Sequence, residues 1–228
     1  MSTTIAARIV TIQEEIKKAQ KRSPFAAPSV KLLAVTKTVP SERIKEAMEA
    51  GLVELGENRV QELMGKYEAL PEARWHLIGH LQTNKVKYIL DKVKLIHSLD
   101  RIELAQELEK RAAAAGLIIP VLVQVNIADE DSKFGLSEAE TPDFLENITN
   151  FPHLQVDGLM TIGPFAPPEE LRPVFRQLRL LRERIREKNL PYLNLDQLSM
   201  GMSNDYQVAV EEGATIVRLG SVIFGARS

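Results

Sequence analysis

VKLLAVT, residues 30–36, is a short and almost unbroken apolar run that ends on a charged residue, Lys37. A run of that length without polar alternation fits a strand buried on both faces, and such strands belong to parallel sheets. Upstream, Ile5, Ile9, Ile12 and Ile16 recur every three or four residues. That spacing predicts an amphipathic helix over residues 1–22, packed on whatever the strand builds, and the SPFAAP segment at 23–28 breaks it. Downstream, strand and helix signals alternate. Strand candidates fall at 53–55, 75–79, 95–99, 121–127, 156–161, 195–199 and 216–219. Helices are expected at 40–51, 58–70, beyond Gly79 through Lys85 and Leu90, at 101–115, 137–149 with an interruption at Pro142, 169–188 and 204–212. A polar loop spans 129–135. About eight strand–helix units in 228 residues predict an α/β chain folded as a single-domain (β/α)8 TIM barrel. A doubly wound open sheet is the rival arrangement.

Bulk composition narrows the function classes. The chain carries 29 basic and 31 acidic residues, a net charge of -2, which excludes the basic footprint of a nucleic-acid binder. It has no cysteine, so thiolate catalysis, disulfides and cysteine metal sites are excluded. The charged amino terminus lacks the apolar centre of a signal peptide, and no window approaches the roughly 20 apolar residues that cross a bilayer. A cytoplasmic location is expected.

In a parallel barrel, functional groups lie at the carboxyl ends of the strands. Lys37 directly follows the first strand. Desolvation there lowers a lysine's pKa and makes it an amine able to form a Schiff base; alternatively it reaches to solvent. SMGMSND, residues 199–205, joins a strand to a helix, where N–H and O–H groups can hold an anion or Ser203 and Asn204 can simply cap the helix. Gly220-Ser221 forms a second such turn, and the loops after strands seven and eight are a recurrent phosphate site in barrels. Arg218 lies inside the last strand and needs an acceptor: Glu57, Asp157, Asp196 or a ligand atom. Glu57 and Asn58 could order a lysine or a ring hydroxyl, or Asn58 could cap a helix. His76 and His80 carry no metal motif and read as core or loop histidines. The arginine-rich run at 172–188 reads as a solvated helix face.

Six blocks in order then resemble one family, the pyridoxal phosphate (PLP) homeostasis proteins. They are LLAVTK (32–37), GENRVQE (56–62), WHLIGHLQTNK (75–85), DGLMT (157–161), LSMGMSNDY (198–206) and VRLGSVIFG (217–225). The resemblance runs from about residue 31 to 225, and no motif departs from the family pattern. It implies a PLP fold-type III barrel, similar to the amino-terminal domain of alanine racemase, with PLP as a Schiff base on Lys37. Ser199, Gly201, Ser203, Gly220 and Ser221 would hold the phosphate, Arg218 would face the pyridine nitrogen, and Asn58, His80, Ser98 and Met160 would line the pocket.

An arginine only donates, so it would keep the ring nitrogen unprotonated and weaken the ring as an electron sink. Racemisation also needs a second acid/base group. In alanine racemase a carboxyl-terminal β-domain and a dimer partner supply it, whereas this sequence ends at Ser228. The expectation is a monomeric PLP carrier serving vitamin B6 homeostasis and amino-acid/keto-acid balance, with no robust turnover. Its partners would be apo forms of PLP enzymes or a regulatory protein. The alternative is a PLP-dependent amino-acid racemase.

Overall fold

The computed structural model describes residues 4–130 and 134–225. Residues 1–3 of the expected first helix and 131–133 of the expected polar loop lie outside them. Eight parallel strands follow one another in chain order around a closed barrel, so the open sheet is set aside. They are β1 (Lys31–Val35), β2 (Glu54–Glu57), β3 (Arg74–Leu77), β4 (Val93–Leu99), β5 (Ile119–Gln124), β6 (Leu154–Met160), β7 (Leu193–Ser199) and β8 (Ile216–Leu219). The ring closes where β1 pairs with β8, with Leu33 opposite Arg218 and Ala34 opposite Leu219. The strand that decided the fold therefore lies beside the one carrying the buried arginine.

Helices cover the outside: α1 (Ile5–Arg22), α2 (Ser41–Glu49), α3 (Val60–Tyr67), α4 (Ile102–Ala115), α5 (Thr141–Ile148), α6 (Arg172–Arg186), α7 (Tyr206–Glu211) and a short α8 (Ser221–Phe224). Thr4 caps α1 by accepting from the Ala7 amide at 3.2 Å. The four isoleucines of its stripe are all buried, and α1 packs against α7, α2 and α8. Three local expectations change. The third crossover is a 3-10 segment, Thr83–Tyr88, in place of an α-helix. Pro142 lies in the first turn of α5 instead of interrupting it, where its missing N–H costs nothing. The long helix before β7 starts as a 3-10 turn, Pro168–Leu171, before α6 proper.

Two apolar regions hold the barrel together. The larger lies between strands and helices and includes Ile44, Leu63, Leu104 and Phe175. The smaller comprises Leu33, Val35, Ile78, Leu95, Leu122, Met160 and Ile216, at alternating positions on strands around the ring, as a filled barrel interior requires. The interior is not wholly apolar. His76, His97, Ser199 and Arg218 are buried there as well.

Candidate functional site at the carboxyl rim

Lys37 is half-buried in the turn immediately after β1, and that turn is held from several directions. The Thr36 amide donates to the Gly56 carbonyl at 3.0 Å. The Thr36 hydroxyl donates to Oε1 of Glu57 at 2.7 Å. Lys66 of α3 donates to the same carboxylate oxygen at 2.6 Å and to the Thr36 carbonyl at 2.8 Å. Thr38 takes a left-handed backbone with φ 63°, rare for a β-branched residue, and its amide donates to Oε2 of Glu62 at 3.0 Å. Glu57 is fully buried, and its Oε2 has no hydrogen-bond partner among the described residues. A carboxylate pinned under the turn thus fixes where Lys37 begins.

On the other side of β1, the turns after β7 and β8 are tied together. Gly201 has φ 92°, and a Cβ there would lie 2.6 Å from that of Ala209, so only glycine lets this turn rest against α7. Its carbonyl accepts from the Arg218 amide at 3.0 Å. Ser203 Oγ accepts from the Gly220 amide at 3.2 Å, and Ser221 is exposed at the start of α8. The capping alternative does not hold: Ser203 is engaged with Gly220, while the Asn204 amide donates to the Ala166 carbonyl at 3.1 Å.

Arg218 is buried and ion-pairs with none of the three anticipated carboxylates. Its Nη1 donates to Ser199 Oγ and its Nη2 to the Thr161 carbonyl, both at 2.7 Å. Glu57 is taken by Thr36 and Lys66, Asp157 by Gln155 and Asn194, and Asp196 by Arg186 at 3.0 Å. Burial pulls the guanidinium down to about 10, partly countered by the charge of Asp205; it stays cationic at neutral pH. Ser199 faces inward. Its hydroxyl, expected at a phosphate, is committed inside the barrel to Arg218 and His97.

The remaining expected residues divide. Asn58 and His80 line one cleft with Glu62, next to the Lys37 turn through the Thr38 bond. His80 stacks on Phe134 with centroids 4.1 Å apart, and its Nδ1 lies 3.5 Å from Asp100. Ser98 is buried with its hydroxyl donating to the Gly79 carbonyl at 2.7 Å. Met160 is buried within the barrel interior.

The sequence reading missed Lys66 and His97, and it left His76 as a core or loop residue. A readable signal existed for the histidines. His76 is two residues from Ile78 and His97 two from Leu95, so period-two alternation puts each ring on the inward face. Burial holds His97 well below the ordinary imidazole range, and the charges of His76, Arg218 and Lys31 add to this. Burial also lowers His76, against the raising influence of Glu54. Among the described residues no cluster of three or more metal-ligating side chains exists, and no helix is long and apolar enough to cross a membrane.

A closed parallel barrel with a lysine after its first strand and a buried arginine in its last defines a class, and a family model described as the alanine racemase N-terminal domain matches residues 9–228. The pyridoxal phosphate homeostasis protein of Aquifex aeolicus is 48% identical over 224 residues, covering 96% of this chain and 97% of that one. The chain belongs to the pyridoxal phosphate homeostasis protein family. The structure of PipY from Synechococcus elongatus with PLP bound matches with a TM-score of 0.84 at 34% identity, covering 97% of this chain and 100% of that one. An alanine racemase from Corynebacterium glutamicum shares the fold, with a TM-score of 0.73 at 15% identity, and the match covers 98% of this chain and 61% of that enzyme.

Proposed function

We propose that this protein binds pyridoxal 5'-phosphate covalently through Lys37 and serves to hold and hand over the cofactor, acting in vitamin B6 homeostasis and amino-acid/keto-acid balance without robust turnover. One observation carries the reading: the lysine turn after β1 and the linked turns around Gly201, Ser203 and Gly220 flank a buried arginine that ion-pairs with no carboxylate among the described residues. The PLP-bound relative supports it. PLP supplies an aldehyde that condenses with a neutral amine, with loss of water, and a phosphate dianion.

The residues present suit that group. The Gly201 turn lies close against α7, as only glycine allows, and the hydroxyls of Ser203 and Ser221 offer O–H donors where the two turns meet, Ser203 being held there by the Gly220 amide. Arg218 presents only N–H groups, so beside a pyridine nitrogen it would act as a donor and would leave that nitrogen without a proton. A ring so held is a weak electron sink, consistent with carriage in place of catalysis. Asn58 and His80 would border the ring, Ser98 and Met160 would back the pocket, and Ser199 would act through Arg218. We take residues 1–228 as one PLP-binding domain, monomeric and cytoplasmic, that meets apo enzymes or a regulatory protein.

Borohydride reduction of the purified yellow protein, followed by peptide mapping, is expected to place the label on Lys37, and Lys37→Ala to abolish the absorbance of the bound cofactor. An unchanged Lys37→Ala spectrum overturns the assignment. Deuterium exchange at Cα across a panel of amino acids is expected to be absent; rapid exchange would instead establish the racemase alternative.

A further inference from the structure

Beneath the rim, a file of buried polar groups runs through the barrel to its opposite mouth. Arg218 Nη1 donates to Ser199 Oγ at 2.7 Å. That oxygen lies 2.9 Å from Nδ1 of His97. Nε2 of His97 lies 2.9 Å from Nδ1 of His76, and Nε2 of His76 lies 2.7 Å from Oε2 of Glu54. Ser199 stands on β7 and His97 on β4, so the file crosses the lumen. Glu54 opens β2 at the amino-end mouth, which Lys31, Arg74, Lys94 and Asp157 also line.

The two ends dictate where each proton sits. A guanidinium only donates and an ionised carboxylate only accepts. Ser199 therefore accepts from Arg218 and turns its own hydrogen to Nδ1 of His97. His97 must be the Nε2–H tautomer, donating to Nδ1 of His76. His76 must be the Nε2–H tautomer too, donating to Glu54. The opposite pair of neutral tautomers would set the bare Nε2 of His76 against an ionised carboxylate, acceptor against acceptor. Only one arrangement satisfies every contact with both rings neutral, and burial favours the neutral form of both.

A proton gained by His76 undoes this order. The cationic ring has no acceptor nitrogen, so its Nδ1–H faces the Nε2–H of His97. Relief requires His97 to switch tautomer and donate to Ser199. The serine oxygen then receives N–H groups from both His97 and Arg218, and its hydroxyl hydrogen must turn elsewhere. The change thus reaches the group that holds Arg218 in place.

We propose that Glu54, His76, His97 and Ser199 form a proton-sensitive positioning relay that sets how Arg218 meets the cofactor ring, so that the bound cofactor is tuned from the end of the barrel opposite its site. This rests on the PLP reading above. The charges facing the relay are Lys31 on β1, Glu54 on β2, Arg74 on β3, Lys94 on β4, Asp157 on β6 and Arg218 on β8. Glu54 is the nearest anion; burial raises its pKa, but His76, Lys31 and Arg74 outweigh that and leave it lowered. It is therefore ionised at neutral pH.

Two measurements test the relay. In ¹⁵N-labelled protein without cofactor, the imidazole nitrogen shifts at neutral pH are expected to show His76 and His97 both as Nε2–H; a Nδ1–H form of either overturns the relay. In the loaded protein, absorbance is followed against pH over the range where the far-ultraviolet circular dichroism stays constant. The wild type is expected to show a transition below the ordinary imidazole pKa of about 6.5. Glu54→Gln moves it to lower pH, because the carboxylate favouring the imidazolium is gone, and His97→Gln abolishes it. A flat wild-type profile, or profiles that superimpose in all three proteins, overturns the proposal. Lys37→Ala separates the two readings: if it keeps the wild-type spectrum the PLP assignment fails, while the tautomers of the cofactor-free protein stand on their own.

Discussion

At Thr38 the chain holds a β-branched residue at φ 63° directly after the lysine. The left-handed region costs an L-residue about 1–2 kcal/mol, whereas glycine gives up about 0.5–1 kcal/mol through its freer unfolded chain. Thr38→Gly is therefore expected to raise the unfolding free energy in urea by about 0.5–1 kcal/mol while loosening the turn and speeding cofactor loss. A variant less stable than the wild type would show that the threonine's contacts outweigh its strain. Gly201 is the converse case. Gly201→Ala forces a methyl against Ala209 in a backbone that disfavours it, and about 1–3 kcal/mol of lost stability is expected, together with weaker retention of PLP in dialysis. Unchanged stability would mean that the turn has room to give. The positions of Lys37, Arg218 and the two glycine turns at the strand ends were legible because strand ends are legible. The partners of the Ser199 hydroxyl were not, because sequence tells that a serine ends a strand and not which way its hydroxyl is drawn.

Among the elements, α1 was the plainest in sequence, since its isoleucines recur at one helical face and all four are buried. Ile9→Ala, at a position almost wholly enclosed, should cost about 2–5 kcal/mol of stability, measured by thermal or urea unfolding, with the bound-cofactor spectrum unaltered because Ile9 belongs to the apolar layer between helices and strands and not to the barrel interior. A changed spectrum in the folded variant would tie this helix to the site. Element α6 was harder. Its arginines looked like a solvated face, yet Arg172, Arg176 and Arg179 converge on Glu212, and Arg179 is buried. Arg179 falls in register with Phe175, Leu178 and Ile185, so it lies on the inward stripe. Helical spacing identifies a face, but only the neighbouring α7 reveals that a buried carboxylate waits there. The third crossover also differed from its reading, a 3-10 segment at Thr83–Tyr88 standing in place of an α-helix.

Across the whole molecule, two imidazoles are kept neutral inside a closed barrel. Burial lowers both pKa values, so the unfolded chain takes up protons at a pH where the folded one refuses them. Their contribution to stability is full above about pH 6.5 and is lost as the pH falls from there towards the folded values, by at most about 1.4 kcal/mol per pH unit for each ring. His97→Gln is expected to show a shallower loss of urea midpoint between neutral pH and pH 5 than the wild type; equal slopes would mean that His97 titrates alike in both states. The alternation of buried strands with amphipathic helices, and the placing of Lys37, Gly201 and Arg218 at strand ends, came from the sequence by itself, because period and run length are local properties of a chain. The resemblance in six ordered blocks pointed to the family for the same local reason. Closure of the ring, the pairing of β1 with β8, the partner of Arg218 and the file from Glu54 to Ser199 were decided only in three dimensions. Those contacts join residues from strands far apart in sequence, and a hydrogen bond is fixed by where two atoms meet.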